Sequence, residues 1–151
     1  MDSALYGLWR FGMYPADDPR IVATMEAVEK GLANRAEAGG WARYANDYYF
    51  QSEQDLSLTP GNPWFICSMW VAQWRAQRAR TPEDLERVRE VIDWVLAHQM
   101  PGGVLSEQLD PHRGSPLSVS PLTWSQAEFM ITVDDYMRRA QHLGRTPAPQ
   151  G

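Results

Sequence analysis

Apolar residues recur at helical spacing in four stretches of the chain. Ile21, Met25, Val28 and Leu32 fall on one stripe, with the acids and Lys30 elsewhere, which predicts an amphipathic helix over 19–34. Leu85, Val88, Val91, Ile92, Val95 and Leu96 form a second stripe over 83–99, and arginines and acids cover its other faces. Between them, Trp64 to Ala72 is apolar on every side, so a helix over 62–79 is expected to be surrounded by protein. A fourth helix, over 121–139, is broadly apolar until Arg138-Arg139, a basic end that suits a helix C-terminus. Each stretch starts on a capping residue followed by proline: Asp18-Pro19, Asn62-Pro63, Thr81-Pro82 and Ser120-Pro121. Gly39-Gly40 and Pro101-Gly102-Gly103 read as stops. Residues 3–12 read as the end of a further buried helix.

No stretch shows a strand pattern, so the chain is expected to be all-α. The predicted buried helices alternate with the amphipathic ones. Two concentric layers of helices produce that alternation, because inner helices are surrounded and outer ones show one face to water. An α/α toroid follows, with its loops gathered at one mouth. One domain is expected over 1–143, and a Pro/Gly tail over 144–151 is expected to be flexible. Two loops feed the buried helices. The first, 41–61, holds Arg43, Tyr44, Asn46, Asp47, Tyr48 and Tyr49, and its aromatic density argues against disorder. The second, 104–119, holds Glu107 and Gln108.

Composition narrows the function. A net charge of -5 without a basic face argues against nucleic acid as a partner. Cys67 is the only cysteine, and His98, His112 and His142 lie far apart, so neither a disulfide nor a metal-ligand spacing is expected, and nothing points to an organic cofactor. Met1 to Arg10 lacks signal-peptide character, and no apolar run approaches the roughly 20 residues of a membrane span. The expectation is a cytoplasmic chain with no membrane partner.

Chemistry concentrates in Glu107, Gln108 and Trp124. A carboxylate can manage protons or water, an amide reads hydroxyls, and an indole stacks on the apolar face of a pyranose. Blander readings stand beside this one. Arg43 can pair with Asp47 four residues on, Trp64 can be core, and Glu128 and Cys67 read as structural.

Four segments together resemble glycoside hydrolase family 15, the glucoamylase-like enzymes. They are Trp41-Ala42-Arg43-Tyr44 with Asp47-Tyr48-Tyr49, Gly61-Asn62-Pro63-Trp64-Phe65, Leu105-Ser106-Glu107-Gln108 and Leu122-Thr123-Trp124-Ser125. Their order and spacing resemble the C-terminal half of that family's catalytic domain, from about residue 3 to about residue 143. The resemblance implies a partial (α/α)6 toroid, and inverting release of glucose from the non-reducing ends of α-glucans or maltooligosaccharides. It implies Glu107 as general base, Arg43 on sugar hydroxyls, and Trp64 and Trp124 lining glucose subsites, with Tyr44, Asp47 and Gln108 nearby. The family's general acid sits in an upstream Trp-Glu-Glu-like motif that this sequence lacks. The chain is therefore expected to be inactive alone, and to need an upstream half-domain polypeptide or to associate with itself. A non-catalytic carbohydrate-binding or regulatory remnant is the alternative, as is a trehalase- or dextran-type member of the same family.

Overall fold

A computed structural model describes residues 1–53, 55, 57 and 59–144. Beyond Gly144, the expected flexible tail lies outside the described residues. A 3-10 turn (Ser3–Tyr6) runs into a single helical turn, α1 (Gly7–Arg10), and Tyr6 and Trp9 point inward. Then come α2 (Pro19–Leu32), α3 (Phe65–Arg78), α4 (Pro82–Ala97) and α5 (Thr123–His142). The only paired strands among the described residues are two residues long: β1 (Gln108–Leu109) runs antiparallel to β2 (Pro116–Leu117), with Gln108 opposite Leu117. The chain is mostly helical, as its periodicity predicts.

Two of the four predicted helix starts hold. The Asp18 carboxylate accepts the Arg20 backbone N–H, with Pro19 as first helical residue. Thr81 and Asp84 cap each other's backbone N–H groups at the start of α4. Asn62-Pro63 and Ser120-Pro121 instead lie outside their helices, which open two residues later after Trp64 and Leu122. The reason is pairing between segments. Pro63 bridges Ala42, and its carbonyl accepts the Leu109 N–H, so the backbone there is extended. Similarly, α2 ends at Leu32, two residues short of the expected 34 and well before Gly39-Gly40, because Ala33 bridges Trp41. Gly40 is required for a different reason. Its φ is +78°, and a Cβ there would lie 2.6 Å from the Trp94 ring.

The core centres on α3. Phe65, Ile66, Cys67 and Met69 are buried together with Ile21 and Met25 of α2, Val95 of α4, and Leu105 and Leu109 of the second loop. Farther along, Ala72, Ala76 and Ala79 let α4 and α5 approach closely, against Leu85, Val88, Val91, Tyr136 and Ala140. The fourth helix departs from expectation. It is not surrounded: α5 buries only Ser125, Glu128, Thr132, Tyr136 and Ala140, and leaves Trp124, Met130 and Met137 exposed.

Candidate active site

The two loops predicted to carry chemistry meet at the start of α3. The backbone of the first loop pairs through Trp41, Ala42 and Tyr44, and Trp64 bridges Gln108 of the second loop. The Glu107 carbonyl accepts the first helical N–H of α3, from Phe65, at 3.4 Å. The segment bearing Glu107 thus meets one of the orphan donors of that helix end.

Glu107 is held at both backbone and side chain. Its N–H donates to the Val119 carbonyl at 2.9 Å. Its Oε2 accepts the Ser118 hydroxyl at 2.5 Å and the Gln108 amide at 3.4 Å. Ser118 reaches it from a left-handed backbone conformation, φ +62°, which a serine rarely adopts. Gln108 is fully buried, and its Oε1 accepts from Asn62 at 2.9 Å. The same loop is stitched to the start of α5. Leu122 N–H donates to the Leu105 carbonyl at 3.0 Å, and the Ser125 hydroxyl to the Ser106 carbonyl at 2.8 Å. Trp124, half exposed, therefore emerges from a helix start that is bonded to the Glu107 loop.

Arg43 is the hub of the first loop. Its guanidinium makes two 2.9 Å bonds to Asp47, fork to fork, and lies over the rings of Trp64 at 4.4 Å, Tyr44 at 4.8 Å and Tyr49 at 5.4 Å. Burial works against its charge, but the bond to Asp47 and that residue's charge outweigh burial and hold the Arg43 pKa above its ordinary value. The pairing with Asp47 and the packing of Trp64 are thus both present. Of the residues singled out from sequence, Glu107, Arg43, Tyr44 and Trp124 keep exposed surface, whereas Asp47, Trp64 and Gln108 are buried beneath them.

A second seam closes the loops from the other side. His112 sits between two carboxylates, with Nδ1 2.7 Å from Glu37 and Nε2 2.5 Å from Glu53, so it ties three loops together. Bonding first to Glu37 and then to Glu53 raises the His112 pKa. Cys67 is inert by contrast, since burial pushes its thiol far up. Ser118, Asn62 and His112 carry no sequence signal of these roles, because each is defined by a partner distant in the chain. A cleft of about 320 Å³ between α2, α3 and α4, lined by Glu29, Trp74 and Arg75 among others, shares no residue with this site. Among the described residues, no three His, Cys, Asp or Glu side chains are grouped to hold a metal ion, and no helix is long and apolar enough to cross a membrane.

Comparison with known proteins gives a consistent result. The family model described as glycosyl hydrolases family 15 matches residues 1–93 and 81–134. An uncharacterized glycosyl hydrolase of Methanocaldococcus jannaschii is 32% identical over 143 residues, covering 88% of this chain and 21% of its own length. A glucoamylase of a Clostridium species is 26% identical over 136 residues, covering 87% of this chain and 18% of its own. The chain thus spans about a fifth of the length of these curated relatives. Among solved structures, a bacterial glucoamylase complexed with acarbose superposes with a TM-score of 0.76 at 23% identity, over 92% of this chain and 20% of that one. That likeness places the helices described above in an (α/α)6 fold.

Proposed function

The chain belongs to glycosyl hydrolase family 15, and from that premise we propose that it is the C-terminal, general-base part of an inverting α-glucan hydrolase. Glu107 takes a proton from water, whose oxygen attacks the anomeric carbon while the bond to the leaving oxygen breaks. A second carboxyl group, about 6.5–9.5 Å from the base, must protonate that leaving oxygen. In this reading the acid comes from helices of the toroid outside these residues. Arg43 and Tyr44 meet sugar hydroxyls, and Trp124 stacks on the ring. Asp47, Trp64 and Gln108 act from below, Asp47 and Trp64 by holding Arg43 and Gln108 by holding Glu107. The substrate is a maltooligosaccharide or α-glucan, a class to which acarbose, bound by the similar glucoamylase, is related in shape.

The observation that carries the proposal is the support of Glu107. Ser118 spends a strained backbone conformation on bonding that one carboxylate, and both Gln108 and the start of α5 are tied to the same loop. A solvated surface glutamate needs none of this. The test is Glu107→Gln in the chain combined with a polypeptide supplying the acid-bearing helices. Glucose release is expected to fall about 10²–10⁴-fold, with acarbose still bound. Unchanged release refutes the assignment.

The half-exposed Trp124 beside a single supported carboxylate also favours a second reading, a carbohydrate-binding remnant without catalysis. Calorimetry separates the two. Acarbose binding that is lost in Trp124→Ala, with no hydrolysis under any combination of polypeptides, selects the remnant.

A further inference from the structure

Buried polar side chains meet where α3 packs against α5. Gln73 is 0% exposed and its amide is saturated. Oε1 accepts the Tyr6 hydroxyl at 2.7 Å, while Nε2 donates to Glu128 Oε2 at 2.7 Å and to Thr132 Oγ1 at 3.1 Å. Thr132 donates its own hydroxyl back to the Glu128 carbonyl at 2.7 Å. Burial, and then the charge of Glu128, push the Tyr6 pKa up, so its hydroxyl keeps its proton and stays a donor. Donor and acceptor roles therefore run in one sense, from Tyr6 through Gln73 to Glu128. One carboxylate oxygen of Glu128 is taken by this network. The other, Oε1, accepts the indole N–H of Trp124 at 3.0 Å, one helical turn away.

Trp124 is 51% exposed, and among the described residues its one close aromatic neighbour is Trp70, 5.7 Å away and tilted by 58°. Left to itself, a half-exposed indole on a helix visits several rotamers. An indole bonded to a carboxylate that is itself fixed from behind keeps one of them. Packing alone does not account for Glu128, which is 8% exposed, because an apolar side chain would fill the α3–α5 contact without the cost of burying a charge. What a carboxylate adds at that position is an acceptor on each side, one for the amide and one for the indole.

We infer that Glu128 is a positioning residue that holds the Trp124 indole with its face presented to a glucose ring. The inference rests on the reading of Trp124 as a sugar platform, and it assigns a task to a residue that the family motifs leave out.

The experiment reads the indole and the sugar separately. In chain labelled with 15N-tryptophan, the Trp124 indole signal is assigned by its loss in Trp124→Phe. It is expected to move upfield and exchange faster with solvent in Glu128→Ala and Glu128→Gln. An amide at 128 must set a donor against either the indole or Gln73. The double variant Gln73→Glu/Glu128→Gln reverses the roles across that contact, leaves an acceptor for the indole, and is expected to return the signal. Acarbose affinity, measured by calorimetry, is expected to weaken about tenfold in each single variant, the scale of one hydrogen bond, and to recover in the double variant. An indole signal unmoved in both single variants overturns the inference, as does a moved signal with unchanged affinity. Should a single variant fail to fold, the double variant decides: folded without recovered signal and affinity, it overturns the inference. A wild-type chain that binds no acarbose sinks the sugar-platform reading, and the indole signal alone then decides whether Glu128 fixes Trp124.

Discussion

Helices α3 and α5 are both rich in apolar residues, yet they use them in opposite ways. From Phe65 to Ala76, every residue of α3 except Arg75 is buried. In α5 the buried stripe is Ser125, Glu128, Thr132, Tyr136 and Ala140, which is mostly polar or small, while Trp124, Met130 and Met137 face outward. The apolar residues of α5 are divided: Phe129 and Val133 pack partly buried against the core, while Trp124, Met130 and Met137 are left uncovered. Among the described residues α3 is covered all round, whereas α5 is covered on one side. Among the described residues the apolar side of α5 is thus an uncovered edge, beside the Arg10–Asp135 ion pair that ties α1 to it at 3.0 Å.

The sharpest break in this contrast is a pair of methionines. Met69 of α3 is 0% exposed and Met130 of α5 is 72% exposed. Met69→Ala is expected to cost about 2–5 kcal/mol through a cavity the surroundings cannot close. Met130→Ala is expected to change stability by no more than about 0.5 kcal/mol. Denaturant melts of both variants check this, and similar losses for the two would erase the distinction between the helices.

A smaller effect probes the polar stripe. Thr132→Val keeps the shape of a fully buried side chain but removes the acceptor for Gln73 Nε2. Leaving that donor short of a partner is expected to cost about 1–3 kcal/mol. A neutral result would mean that α5 is held by the packing of its own Phe129 and Val133 against the core and not by the Gln73 network.

The exposed side of α5 is expected to affect association more than stability. An apolar patch of a few hundred Å² commonly finds a partner. Met130→Glu is therefore expected to reduce self-association and hydrophobic-dye binding, with stability changed by no more than about 0.5 kcal/mol. Sedimentation checks it: a wild-type chain that is already monomeric and binds no dye removes the reason to regard α5 as an edge.

The helices were legible in the sequence because a 3.6-residue stripe survives any tertiary arrangement. What faces each stripe was not. Leu122 to Met137 reads as a buried helix from composition, but composition cannot say whether the protein lies on the Met130 side or the Thr132 side. The misread starts at Asn62-Pro63 and Ser120-Pro121 share one physical cause. A proline after a capping residue suits helix entry and an extended segment equally well, and at Pro63 the pairing with Ala42 and Leu109 selects the second. At the site, the Arg43–Asp47 pair was visible as a spacing of four, even though the loop is not helical. The support of Glu107 by Ser118, eleven residues on and in a left-handed conformation, leaves no trace in a sequence pattern.

The smallest expected effect separates both helices from the loop seam that leans on them. Contacts of α3 are mainly apolar and indifferent to pH, whereas the seam at His112 is ionic. Its imidazole faces Glu37 and Glu53, its backbone N–H donates to Asp110, and Arg113 lies next in the chain. The pKa of His112 is raised above the ordinary 6.5, so its contribution is fully present below that value and is lost as pH rises through the raised pKa. The pKa of Glu37 is lowered below the ordinary 4.5, chiefly by a backbone hydrogen bond and then by His112, so its contribution is present above that value and is lost as pH falls through the lowered pKa. The seam is therefore tightest between about pH 4.5 and 6.5. Thermal melts of wild type and His112→Gln are expected to differ most in that window and to converge above it, while Met69→Ala stays offset from wild type by a pH-independent amount. A His112→Gln difference that is flat from pH 4 to 9 would mean that the imidazole adds only packing to the three loops, and that the seam is no more responsive to pH than the α3 core.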